Sequence, residues 1–202
     1  MTKLYCYVDE SGQDTQGRMF IVSVVITEKN RGRLFAVCEK LEDASGKKKD
    51  KWGRAKHERR MFYIRHILAD ARFKGVLRFE VFRNTKDYDG STITAIISSV
   101  NWDKPHGQFT TLVYVDGLSK TKRQEYGARL RHLGLPVRKI RGIARDETNA
   151  LTRLADATAG FIRDALIGKS KEIKSLFEKA KKGRFMIEVS STKNRPQRGG
   201  RA

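Results

Sequence analysis

Apolar residues in this chain fall into two spacings, and the switch from one to the other marks out its elements. Short runs rich in β-branched and aromatic residues predict strands over Leu4–Val8, Met19–Ile26, Val76–Phe82, Thr111–Val115, Val137–Ile143 and Arg184–Val189. The first two flank the Gly12–Gly17 turn, which predicts an antiparallel hairpin. Helical spacing predicts a helix over Asn30–Asp43, with Leu34, Phe35, Val37, Cys38 and Leu41 as its apolar positions. A longer one is expected over Ala55–Arg72, with Met61, Phe62, Ile64, Ile67 and Leu68 turned inward. Further helices are expected over Thr92–Val100, over Lys120–Leu133 behind a Ser119 cap, and over Lys169–Lys182. The clearest amphipathic stretch is Thr148–Ile167, where Leu151, Leu154, Ala155, Thr158, Ile162 and Ala165 share one stripe. Between Ser45 and Arg54 the periodicity vanishes and a lysine-rich loop is expected. Strands and helices interleave with no repeat and no second core. The expectation is one α/β domain over residues 1–189, followed by a flexible basic tail from Ser190 to Ala202.

Charge changes the picture most. The 202 residues hold 43 Lys and Arg against 23 Asp and Glu, a formal net charge of +20. Such an excess repels itself unless a polyanion is at hand, which points to nucleic acid as the partner. Hydrophobic residues at 39% exclude a wholly disordered chain. Cys6 and Cys38 stand far apart with no second pair, so neither a disulfide framework nor structural zinc is expected. No apolar run is long enough to span a bilayer and the N-terminus does not read as a signal peptide; a cytoplasmic protein without membrane contact is expected.

Against this basic background, carboxylates at element ends stand out. The first strand runs into Asp9-Glu10-Ser11-Gly12, a later one into Asp116-Gly117, and Asp156 lies at the edge of the amphipathic stripe among small residues. Each has a plain alternative: Asp9 and Ser11 as turn caps, Asp116 as half of an Asp-Gly turn, Asp156 as the ion-pair partner of Arg153. Taken together, Asp9, Asp116 and Asp156 supply what hard cations such as Mg²⁺ or Mn²⁺ require. Two such ions side by side activate water and stabilise the leaving oxygen in phosphodiester hydrolysis. Glu10 joins as a catalytic group only if the strand ends at Asp9, because adjacent strand residues face opposite sides. Among cations, the candidates for gripping nucleic acid are Lys47, Lys48, Lys49, Lys51, Arg54 and Lys56 around Trp52, then Lys120, Lys122 and Arg123. Trp52 either stacks on an unpaired base or folds back onto the core. No glycine-rich phosphate loop, hydrolase elbow or histidine pair with ligand spacing is present.

Tyr7-Val8-Asp9-Glu10-Ser11-Gly12 with the strand after it resembles the opening of domain-of-unknown-function family 3800, a branch of the ribonuclease H-like superfamily. Leu154-Ala155-Asp156-Ala157-Thr158-Ala159-Gly160 resembles that family's C-terminal helix signature, and Tyr114-Val115-Asp116 its mid-domain strand carboxylate. The resemblance implies a ribonuclease H-like mixed β-sheet flanked by α-helices, with a nuclease-type site of Asp9, Asp116 and Asp156. Two departures stand against it. Arg153 replaces the usual Gln before Leu-Ala-Asp, and Asp146-Glu147-Thr148 occupies the place of an Asp-Ser pair. Asp146 is then a fourth ligand or the cap of the helix. The rival expectation is a nucleic-acid-binding protein that keeps this fold without turnover.

Overall fold

The computed structural model describes residues 1–143 and 149–189, so Asp146 and the expected basic tail lie outside the described residues. Among the described residues six strands are found, β1 (Thr2–Ser11), β2 (Met19–Thr27), β3 (Leu77–Arg83), β4 (Phe109–Asp116), β5 (Val137–Ile143) and β6 (Met186–Glu188). They form a single sheet in the order β5-β4-β1-β2-β3-β6. The β1–β2 and β2–β3 pairs are antiparallel, whereas β4 and β5 extend the sheet in parallel from β1, and β6 runs parallel to β3. This is the α/β architecture expected, and it is compatible with a ribonuclease H-like fold.

Six α-helices among the described residues cover the two faces. Helices α1 (Arg31–Ala44), α2 (His57–Ala69), α5 (Ala150–Ile167) and α6 (Lys171–Lys182) pack on the face that carries Tyr7, Ile21 and Phe79. Helices α3 (Tyr88–Trp102) and α4 (Lys120–His132) pack on the face that carries Cys6, Val8, Val22 and Val113. Every residue of β2 is buried because both faces of this central strand are covered, which explains an apolar run interrupted only by Ser23 before Thr27. Cys6 and Cys38 are free and buried, and burial pushes each thiol up to about 12. Among the described residues no helix is long and apolar enough to cross a membrane.

Several boundaries differ from the sequence expectation for identifiable reasons. The helix expected over Ala55–Arg72 ends at Ala69, because Asp70 takes an extended conformation and its carboxylate caps a new turn. It accepts the Arg72 backbone N–H at 3.0 Å and the Arg72 guanidinium Nε–H at 2.8 Å. Phe62, expected inside, is 38% exposed and stacks on His66. The third helix starts earlier than expected, at Tyr88, where the Asp87 carboxylate accepts the Gly90 N–H at 2.8 Å. Capping of α5 falls to Asn149, whose Oδ1 accepts the Leu151 N–H at 2.9 Å. In the first hairpin Gly12 has φ +100, and a Cβ there would meet the Met19 carbonyl oxygen at 2.2 Å. Only glycine turns so close to the returning strand.

Candidate active site

Two strands end in the same tripeptide, Tyr7-Val8-Asp9 and Tyr114-Val115-Asp116, and the fold sets them side by side. The pair β1–β4 is parallel with Tyr7 opposite Tyr114 and Val8 opposite Val115, so Asp9 and Asp116 follow at matching positions. Parallel neighbours lie ~4.8 Å apart, and alternation sends both carboxylates to the face covered by α5. Beneath them the rings of Tyr7 and Tyr114 stack at 4.8 Å with planes 12° apart. The Tyr7 hydroxyl accepts a hydrogen bond from Arg31 Nε, which ties that platform to α1. The repeated Tyr-Val-Asp is thus a sequence signal of the pairing itself.

Asp156 approaches the same carboxylates from α5. Burial first, then the charges of Asp156 and Asp116, push the Asp9 carboxyl well above the usual carboxylate range. The Glu10 backbone N–H, which Asp9 Oδ1 accepts at 2.9 Å, and the Lys51 ammonium act against that rise. Lys51 Nζ lies 3.2 Å from Asp116 Oδ2. Asp156 Oδ2 accepts the Trp52 backbone N–H at 2.7 Å. Arg153, the alternative partner for Asp156, is held by Glu42. That guanidinium is buried one turn earlier, giving Nε–H and Nη2–H to the Glu42 carboxylate at 2.8 and 2.6 Å.

The lysine-rich loop reaches this point because Trp52 is clamped onto α5. Its indole N–H donates to Asp164 Oδ2 at 2.9 Å, its carbonyl accepts from Arg60 at 3.3 Å, and its ring meets Phe161 edge-on. The face of the indole lies on Gly160, where a Cβ would meet ring atoms at 2.4 Å. Asp156, Gly160 and Asp164 recur every fourth residue on one face of α5, a spacing visible in the sequence once the loop is known to dock there.

Not every expected site residue joins. Strand β1 continues through Ser11, so Glu10 points to the opposite face, where it accepts hydrogen bonds from Thr92 and, at 2.8 Å, from Gln13; it lines the same cleft as Asp9 and Asp116 without sharing their side of the sheet. Burial raises its pKa, with the Thr92 and Gln13 contacts opposing. Lys47 is not a surface contact. It is fully buried, its ammonium donates to the Asp50 carbonyl and lies 5.4 Å from the Tyr63 ring centre, and burial lowers its pKa. Trp52, 3% exposed, belongs to the core and offers no stacking face. Lys48 and Lys49 are exposed but line a separate cavity beside Glu39 and Asp43. Arg54, Lys56, Lys120 and Lys122 are exposed and Arg123 is half-buried. Lys122 pairs with Asp89 at 2.8 Å. Asp89, missed in the sequence, also accepts from the Tyr126 hydroxyl at 2.8 Å.

Asp9, Asp116 and Lys51 open onto a cleft of about 640 Å³ at the carboxyl ends of β1 and β4, with Lys86 and Lys122 at its rim. The donor chemistry of the three aspartates is that of a hard divalent cation: carboxylate oxygens with no thiolate or imidazole beside them. Among the described residues, however, no group of three or more Asp, Glu, His or Cys is disposed to hold a metal ion as it stands. In this arrangement Lys51 and the Trp52 N–H answer the carboxylate charge. The chain matches no protein-family model, and a comparison with curated proteins finds no relative.

Proposed function

We propose that this protein is a divalent-metal-dependent nuclease whose site is the cleft at Asp9, Asp116 and Asp156. One observation carries the reading: Asp9 and Asp116 end paired strands in matching register, and burial first, then the charges of Asp156 from α5 and of Asp116, push the Asp9 carboxyl up, in a protein of net charge +20. Carboxylates gathered against their own repulsion answer to a cation, and the surrounding charge answers to a polyanion. Asp9, Asp116 and Asp156 would hold Mg²⁺ or Mn²⁺, which when bound supplies Lewis acidity and a water of lowered pKa. Lys51, Lys86 and Lys122 at the rim draw a phosphodiester towards the acidic centre and offset its repulsion. The Tyr7–Tyr114 stack and the Trp52 clamp keep the carboxylates and Lys51 on rigid supports. The motif likeness to domain-of-unknown-function family 3800 agrees with this reading and is proposed with it.

A second reading has its own observation. Lys51 lies in the cleft against Asp116, where it neutralises charge with no metal required, as a protein that binds nucleic acid without cutting would need. The two are separated by incubating labelled single-stranded RNA, RNA–DNA hybrid and duplex DNA with Mg²⁺, Mn²⁺ or EDTA. Wild type is run beside Asp9→Asn and Asp156→Asn. Metal-dependent cutting lost in both variants is expected. Tight binding without cutting by any of the three proteins establishes the second reading, and cutting that survives both substitutions places the chemistry elsewhere.

A further inference from the structure

Helix α4 separates the acidic cleft from a groove of opposite character. Lys122 and Tyr126 face the cleft. Lys120, Arg123, Gln124, Gly127 and Arg131, spaced as one stripe of the helix, face a groove of about 380 Å³ whose other wall is Arg138, Lys139 and Ile140 of the edge strand β5. Five cations line this groove and no carboxylate does. From Lys120 to Ile143 the chain carries eight Lys or Arg against the single Glu125. That Glu125 pairs with Arg129, and the neighbouring Asp89 with Lys122. Among the described residues the five groove cations have no ion-pair partner.

Two local features build the groove. Pairing of β5 with β4 shifts register between Thr111 and Leu112, so that Val137 and Lys139 are the paired residues and Arg138 is the extra one. A bulge of this kind bends an edge strand and re-aims its side chains, and Arg138 and Lys139 are both exposed. On the helix, Gly127 sits mid-stripe, where alanine is the better helix former. A Cβ there would meet the Arg131 guanidinium at 3.2 Å, so the missing side chain lets Arg131 lie back along the groove floor.

We propose that the α4–β5 groove holds the second backbone of a double-stranded nucleic acid whose first backbone enters the acidic cleft. The inference rests on the nucleic-acid reading above but not on catalysis. A helix with its side chains is ~10–12 Å across, which is also about the width of the major groove that keeps two backbones apart. From Lys120 to Arg131 the stripe runs ~16 Å, the rise of about five base pairs at 3.4 Å each. Three of the five cations are planar guanidiniums, whose fixed fork of donors grips a phosphate diester bidentately.

The test is fluorescence anisotropy in EDTA, which prevents metal-dependent cutting, across a range of salt concentrations. The probes are a labelled 24-base-pair duplex, one of its single strands and polyglutamate. Arg123→Gln/Arg131→Gln/Arg138→Gln is compared with Lys171→Gln/Lys174→Gln/Lys179→Gln, which removes the same charge from exposed positions on α6. Each phosphate contact contributes ~0.9 to the salt slope on duplex, so the groove variant should lose about 2.7, roughly 500-fold in affinity at 0.1 M salt. The α6 variant should keep the wild-type slope, and single-strand binding should change little in either. Equal losses in both variants, an unchanged duplex slope, or an equal loss on the single strand overturns the groove alone. Polyglutamate bound by wild type as tightly as duplex, with the same loss in the groove variant, replaces nucleic acid by an acidic protein as its partner. Absence of duplex and single-strand binding by wild type overturns the nucleic-acid reading together with the groove.

Discussion

Gly160→Ala separates two opposite expectations at the support of the candidate site. Gly160 lies inside α5 with ordinary helical backbone, so helix propensity alone predicts that alanine stabilises the protein by ~1 kcal/mol. The structure predicts the reverse. A Cβ at this position would stand 2.4 Å from the Trp52 ring. Relieving that overlap costs about 1–3 kcal/mol in displaced packing. Moving Trp52 also loosens its backbone N–H from Asp156 (2.7 Å) and its indole N–H from Asp164 (2.9 Å). Hydrogen bonds to charged groups contribute about 1.5–3 kcal/mol each when fully made, and partial loss of both adds ~2 kcal/mol. Net destabilisation of about 3 kcal/mol follows, and a chain of this size loses ~2–4 °C of melting temperature per kcal/mol, hence roughly 6–12 °C. Calorimetry reads the melting temperature, and Trp52 emission, followed in a Trp102→Phe background, should shift to the red as the ring leaves the core. A rise in melting temperature with unchanged emission would refute the claim that Trp52 anchors the loop through Gly160.

Two further predictions concern buried charge. Asp9 titrates near 3.8 in the unfolded chain and well above that when folded, so in the window between these values the native state binds the extra proton. Stability then falls as pH rises through the folded pKa. Asp9→Asn removes the titration, so the variant should melt above wild type at pH 8, with the gap closing as pH falls to 3.8. A gap that is the same at every pH sinks this account. The Glu42–Arg153 pair has both side chains only 4% exposed, and removing one member leaves the other charged and buried. Glu42→Gln or Arg153→Met alone should cost ~3–5 kcal/mol, whereas Glu42→Leu/Arg153→Met together should recover most of it. Denaturant melts check both, and additive losses in the double variant would show that the pair is not coupled.

Hydrophobic periodicity alone determined most of this architecture. Strand runs at Leu4–Val8 and Thr111–Val115 and the stripe from Leu151 to Ala165 are local patterns, and a covered sheet face or helix face can satisfy them in only one way. Asp9 and Asp116 were legible for the same reason, since a carboxylate at the end of an apolar run has a defined place once the run is a strand. The loop from Ser45 to Arg54 has no such pattern, and there tertiary structure decided everything. Of two lysines four residues apart, Lys47 is buried against Tyr63 while Lys51 reaches Asp116, because Trp52, next after Lys51, docks on a helix more than a hundred residues away. The face of Glu10 depended on whether β1 stopped at Asp9, and pairing with β2 carries the strand on to Ser11. Glu42 and Arg153 meet across 111 residues of chain. The Arg138 bulge comes from the register that β5 takes against β4. A local pattern sets which face of an element is apolar; the partner of a lone charged side chain is set by whatever distant segment the packed core brings within a few ångström.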